Sequence, residues 1–194
     1  MKYIKYFELK KATTHPFIQS AKRGSNAKVQ EYIKSGADIN IRDTNGRTAL
    51  MWACLNNFLM VVKTLIDAGA DINMIDYEGR TVLMMASTMK IYDLLFSVNN
   101  IDVNLKNNKG QTAIMEVLSF NMFNNNIITL LKNCIKKGLD LNIKDINGNN
   151  FYDILKEKQE SGVNIGSVIE IMDNNYPQYK EEWNFKHNVI KYNL

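Results

Sequence analysis

A short phrase returns four times along this chain, and its spacing limits the fold more than any other feature. Gly36-Ala37-Asp38-Ile39-Asn40 runs through Asp43 and Gly46 to Thr48-Ala49-Leu50-Met51-Trp52-Ala53. It recurs as Gly69-Ala70-Asp71-Ile72-Asn73, then Asp76, Gly79 and Thr81-Val82-Leu83-Met84-Met85-Ala86. A weaker copy is Asn100-Ile101-Asp102-Val103-Asn104, Gly110 and Thr112-Ala113-Ile114-Met115-Glu116-Val117, and a fourth is Gly138-Leu139-Asp140-Leu141-Asn142, Asp145 and Gly148. From Asp38 through Asp71 and Asp102 to Asp140 the steps are 33, 31 and 38 residues. A repeat of this length predicts a solenoid whose units bury their apolar faces only against their neighbours.

Each part of the phrase has a physical role to match. Gly46, Gly79, Gly110 and Gly148 lie in polar stretches where a tight turn needs a positive φ. Asp43, Asp76 and Asp145 stand three residues earlier, where a short carboxylate can accept from nearby backbone N–H groups. Thr48, Thr81 and Thr112 precede apolar runs and fit helix N-caps. Leu59, Val62, Leu65 and Ile66 are spaced as one core-facing stripe. Gly36, Gly69 and Gly138 fall where a helix C-terminus favours a left-handed residue.

These segments, in this order and spacing, resemble the ankyrin repeat over about residues 15–160. The resemblance implies an all-α fold with short β-hairpin turns, an ankyrin-repeat solenoid of about five stacked helix-turn-helix units. The units are placed at about 15–37, 38–70, 71–101, 102–139 and 140–172, with a basic extension at 1–14 and a capping tail at 173–194. The chain departs from the family at the Pro after the capping Thr, which is Ala49, Val82 and Ala113 here. The family's His two residues further on is Met51, Met84 and Met115, which exchanges a hydrogen bond for soft packing. The third unit is short between Ser87 and Ile91, and extra residues from Phe120 to Asn126 predict a longer inter-helix loop. In the fifth unit Asn150 replaces the Thr of the helix start.

The resemblance also implies protein recognition through the concave face, without catalysis or cofactor. Carried over position by position, the contact residues are Thr44, Asn45, Arg47, Trp52 and Asn56 in the second unit. Tyr77, Glu78, Arg80, Met85 and Thr88 follow in the third, Asn108, Lys109, Gln111 and Glu116 in the fourth, and Ile146, Asn147 and Asn149 in the fifth. Trp, Tyr and Arg dominate interface energies most often, which singles out Trp52, Tyr77, Arg47 and Arg80. The competing reading packs Trp52 between repeats and pairs the arginines with Asp43, Asp76 or Glu78.

Catalysis finds no support in the residue pattern. The two histidines, His15 and His187, lie near opposite ends, His15 at a helix start. There is no Cys-x-x-Cys, no His-x-x-x-His and no glycine-rich phosphate loop, so no metal site and no small-molecule substrate are expected. Cys54 and Cys134, the two cysteines, read as buried reduced thiols two units apart. No apolar run reaches the 18 or so residues of a membrane span, and the first eleven residues are too charged for a signal peptide. The expected place is the cytoplasm, with non-classical export as the other route.

The net charge of +4 is uneven. Residues 1–24 hold six basic groups against Glu8, and the rest hold 18 against 19. A nucleic-acid reader spreads Lys and Arg along its binding face, so a nucleic acid is not expected, and the protein partner remains what the resemblance implies. A second reading of the small single domain is an immunity or inhibitor protein that blocks a toxin or effector enzyme. A third, resting on the Asn-rich composition alone, is a pathogen or symbiont protein aimed at host machinery.

Overall fold

The computed structural model describes residues 15–119, 125–162 and 164–176. The extension at 1–14, most of the Phe120–Asn126 insertion, His187 and the tail from residue 177 lie outside them. Among the described residues there are ten α-helices and no strand. The chain divides into two compact units after Ala113.

In the first unit three helix pairs follow one another: α1 (Pro16–Lys22) with α2 (Asn26–Lys34), α3 (Ala49–Leu55) with α4 (Leu59–Asp67), and α5 (Val82–Met85) with α6 (Met89–Ser97). The first helices pack in one row, α1 on α3 and α3 on α5, and the second helices in another, α2 on α4 and α4 on α6. Phe17, Leu50, Met51, Leu65, Leu83 and Leu95 are fully buried between the rows; burying one such side chain contributes about 1.5–3 kcal/mol. The stripe on α4 is Val61, Val62 and Leu65, with Leu59 and Ile66 only half-buried, so it is shifted from the sequence expectation.

Helix ends follow the repeat. The N–H of Gly36 donates to Ile33 O and that of Ala37 to Tyr32 O, a Schellman stop that recurs at Gly69-Ala70 and Gly138-Leu139. Thr48 caps α3 by accepting from Met51 N–H at 3.3 Å, while Met51 Sδ lies 3.5 Å from Thr48 N–H. Thr81 and Thr112 do not repeat this: both hydroxyls are buried without a partner. The short third unit shows as a four-residue α5, after which Ala86 is extended. Tyr92 on α6 meets the exposed helix end, donating to Ala86 O at 2.9 Å.

The second unit begins within α7 (Ala113–Ser119) and continues with α8 (Asn125–Lys136), α9 (Phe151–Glu160) and α10 (Gly166–Asn175). Asn150 caps α9, accepting from Tyr152 and Asp153 N–H, while Asp153 Oδ2 accepts from Asn150 N–H. α10 packs on α8, and Tyr176 donates its hydroxyl to Leu139 O at 3.2 Å. The last helix runs on to Asn175, just before that tyrosine.

Candidate functional site

The turn segments set the geometry of the candidate face. Asp43 Oδ1 accepts from the N–H groups of Asn45 (2.8 Å) and Arg47 (2.9 Å), closing the turn around Gly46. Asp76 Oδ1 does the same for Glu78 and Arg80, and Asp145 Oδ1 for Asn147 and Asn149. The third copy uses Asn107, whose Oδ1 accepts from Lys109 and Gln111. Adjacent turns in the first unit are joined by one backbone bond each, Tyr77 N–H to Asn45 O and Asn108 N–H to Glu78 O, both 2.9 Å. The expected hairpins are thus single hydrogen-bonded turns in contact, with no strand.

The Asn that ends the repeated phrase also links repeats. Asn40 Oδ1 accepts from Asp71 N–H and Asn73 Oδ1 from Asp102 N–H, both at 2.9 Å. Asn73 Nδ2 donates to Asn100 O at 2.7 Å. The first copy is thus bonded to the second, and the second to the third.

The second oxygen of each buried Asp is spent on the residues marked for binding. Asp43 Oδ2 accepts from Trp52 Nε1 at 2.8 Å. Asp76 Oδ2 receives Arg80 Nη2 at 3.0 Å, Arg80 Nε at 3.2 Å and Arg47 Nε at 3.4 Å. Arg80 Nη2 also lies 3.1 Å from Glu78. Burial pushes the Asp76 carboxyl up, but the Arg80 N–H, guanidinium and charge, with the Glu78 N–H, outweigh it and hold the group below the usual carboxylate range. The ring of Trp52 sits near two cations, Lys22 Nζ at 3.9 Å and Arg47 Cζ at 4.9 Å from its centroid.

The named residues therefore separate by place. Arg47, Trp52 and Arg80 are half-buried members of this network, which joins the turns at Asp43 and Asp76. Met85 is buried at 6 % exposure and packs in the core, so it offers no contact surface. Thr44, Asn45, Tyr77, Glu78, Asn108 and Lys109 are exposed, and Gln111 is half-buried. Tyr77 is 64 % exposed yet held in place. A Cβ on Gly46 would come within 2.7 Å of its ring, so the ring packs directly on the preceding turn. Arg42 Cζ lies 5.4 Å from the ring centroid, while its guanidinium donates to Gly46 O and Ile75 O. Asn108 Nδ2 donates to Tyr77 O at 2.9 Å.

Charge in the first unit is sorted by face, which sums along the sequence conceal. The first helices and turns (15–23, 42–56, 75–87 and 105–113) hold seven Lys and Arg against three Asp and Glu. The second helices and their connections (24–41, 57–74 and 88–104) hold four against six. Two of the three acids on the first side, Asp43 and Asp76, are buried.

Among the described residues no group of three or more His, Cys, Asp or Glu could hold a metal ion, and no helix is long and apolar enough to cross a membrane. Cys54 and Cys134 are free and buried. Burial raises the Cys54 thiol above the usual range and pushes Cys134 up to about 12.

No curated protein matches the chain. The family model described as ankyrin repeats (3 copies) matches residues 17–107, the segment whose paired helices, Schellman stops and linked turns are set out above. Residues 17–107 thus carry ankyrin repeats.

Proposed function

We propose that the face built by the first helices and turns of residues 15–113 binds another protein, without catalysis, cofactor or nucleic acid. Ankyrin repeats are generally protein-interaction modules. The observation that carries the reading is Tyr77: a large aromatic, 64 % exposed, braced by Gly46, Arg42 and Asn108. A rigid exposed aromatic adds contact area at little cost in side-chain entropy. Thr44, Asn45, Asn108 and Lys109 surround it as a polar rim, while Arg47, Trp52 and Arg80 stiffen the ground beneath. The cytoplasm is the place we assign, because Cys54 and Cys134 are both buried free thiols.

Affinity capture from source lysate, with Tyr77→Ala beside the wild type, tests the proposal. Met60→Ala, an exposed position on α4, serves as the control. One protein whose retention falls at least tenfold with Tyr77→Ala and holds with Met60→Ala supports this face. Equal retention by a folded Tyr77→Ala protein places the site elsewhere.

A further inference from the structure

We infer that the partner segment bound on this face is an extended, acidic stretch of polypeptide. This deepens the proposed function and rests on it. The first-helix and turn side has an excess of four positive charges, and the second-helix side an excess of two negative ones. Sorting of this kind steers a complementary partner to one side and repels it from the other.

The cations on this side fall into two sets. Arg47 and Arg80 are already matched by Asp76 and Glu78. Lys22, Arg23, Arg42, Lys106 and Lys109 make no ion pair among the described residues, Arg42 being turned onto backbone carbonyls instead. Lys22 is also pre-ordered: its ammonium rests over the Trp52 ring, and the ring is fixed by its bond to Asp43. A cation held in place before binding loses less side-chain entropy when a carboxylate arrives.

Spacing sets the form of the ligand. Lys22 belongs to the first repeat and Lys109 to the fourth, three steps apart along the row of first helices and turns. At roughly 9 Å per packed helix the span is about 27 Å, which an extended chain covers with about eight residues. Carboxylates near its ends reach Lys22 with Arg23 and Lys109. Its middle lies over Tyr77, where an apolar side chain finds the exposed ring.

The test is selection of a random ten-residue phage-displayed peptide library on the immobilised full chain. The variants are Lys22→Glu with Lys109→Glu on this face and Lys63→Glu on α4, each checked for folding by circular dichroism. The expected pool is enriched in Asp and Glu. Its peptides should weaken about tenfold with the double variant, an effect of the size that two reversed surface charges produce. They should hold their affinity with Lys63→Glu and lose it as salt rises. A pool without acidic enrichment, or one indifferent to the double variant, overturns the inference. So does a ten-nucleotide oligothymidylate that binds this face more tightly than the selected peptides. If the acidic preference fails while Tyr77→Ala still abolishes lysate capture, the charge assignment falls and the protein-binding face stands. If both fail, the face itself is misplaced.

Discussion

The turns at Asp76 and at Asn107 have the same outline and different chemistry. Both side chains are buried, and both use Oδ1 to accept two backbone N–H groups two and four residues on. At the first, the residue four positions on is Arg80, and Arg47 arrives from the preceding repeat. At the second, the matching residue is Gln111. A neutral amide suffices to close a turn, whereas two guanidinium groups brought to a buried site require a carboxylate. The Asp of the repeat is thus two devices in one side chain, a turn closer and a counter-charge, and only the first is needed in every copy.

Removing the side chain separates the two devices. Asp76→Ala should cost about 3 kcal/mol or more, because it leaves two backbone donors and the Arg47 guanidinium without their acceptor and Arg80 with the exposed Glu78 alone. Asn107→Ala should cost less, about 1–2 kcal/mol, since no arginine ion pair goes with the turn. Urea denaturation of both variants measures the gap, and equal losses would show that the arginine contacts contribute nothing. Acid offers a second readout. The folded pKa of Asp76 is lowered, so its stabilisation is complete above the unfolded carboxylate value of about 3.9. That stabilisation is lost as pH falls through the lower folded value. Asp76→Asn keeps the turn acceptor and should flatten this acid limb of stability.

The glycines extend the comparison to contacts between turns. Gly46 and Gly79 both have positive φ, at 76° and 75°, so Ala is strained at either by about 1–2 kcal/mol. A Cβ at Gly46 meets the Tyr77 ring at 2.7 Å, a side chain that can swing aside. At Gly79 it meets the Asn107 Cα and the Asn108 N–H nitrogen at 2.8 Å, backbone that can yield only by parting the two turns. Gly79→Ala should therefore destabilise more than Gly46→Ala. Gly46→Ala should instead show its effect in Tyr77 mobility, readable by fluorine labelling of the tyrosines. The opposite order of stabilities would mean that turn-to-turn backbone contact is loose.

Much of this was legible in the residues, for reasons that are local. The positive-φ glycines, the Asp turn closers and the Schellman stops each depend on a few neighbouring positions, so periodicity exposes them. The role of Asn107 was within reach: it stands 31 residues after Asp76 and three before Gly110, but the change from Asp hides it from a search for carboxylates. Contacts across repeats were harder. The bond of Trp52 to Asp43, the sharing of Asp76 by Arg47 and Arg80, and the rescue of α5 by Tyr92 depend on three-dimensional packing. Position within a repeat also failed to predict burial finely: Met85 is in the core, and Val61 takes the place expected of Leu59. The sorted charge was lost in averaging, because helices of opposite character alternate along the chain and cancel.

Helix starts make the smallest and sharpest contrast. Thr48 and Thr81 begin equivalent helices with the same extended backbone, φ near −90° and ψ near 170°. Thr48 accepts from Met51 N–H, whereas the Thr81 hydroxyl is buried without a partner. Exchange for Val keeps the shape and removes only the oxygen. Thr48→Val should then cost about 1 kcal/mol, the usual worth of an N-cap, while Thr81→Val should be neutral or slightly stabilising, since it removes an unsatisfied polar group. Thermal and urea unfolding of the pair decides the matter. A loss of about 1 kcal/mol for Thr81→Val would mean that a water meets the hydroxyl, making the short third repeat as well capped as the second. A neutral result leaves α5 held by Tyr92 and by its packing on α3, with no cap of its own.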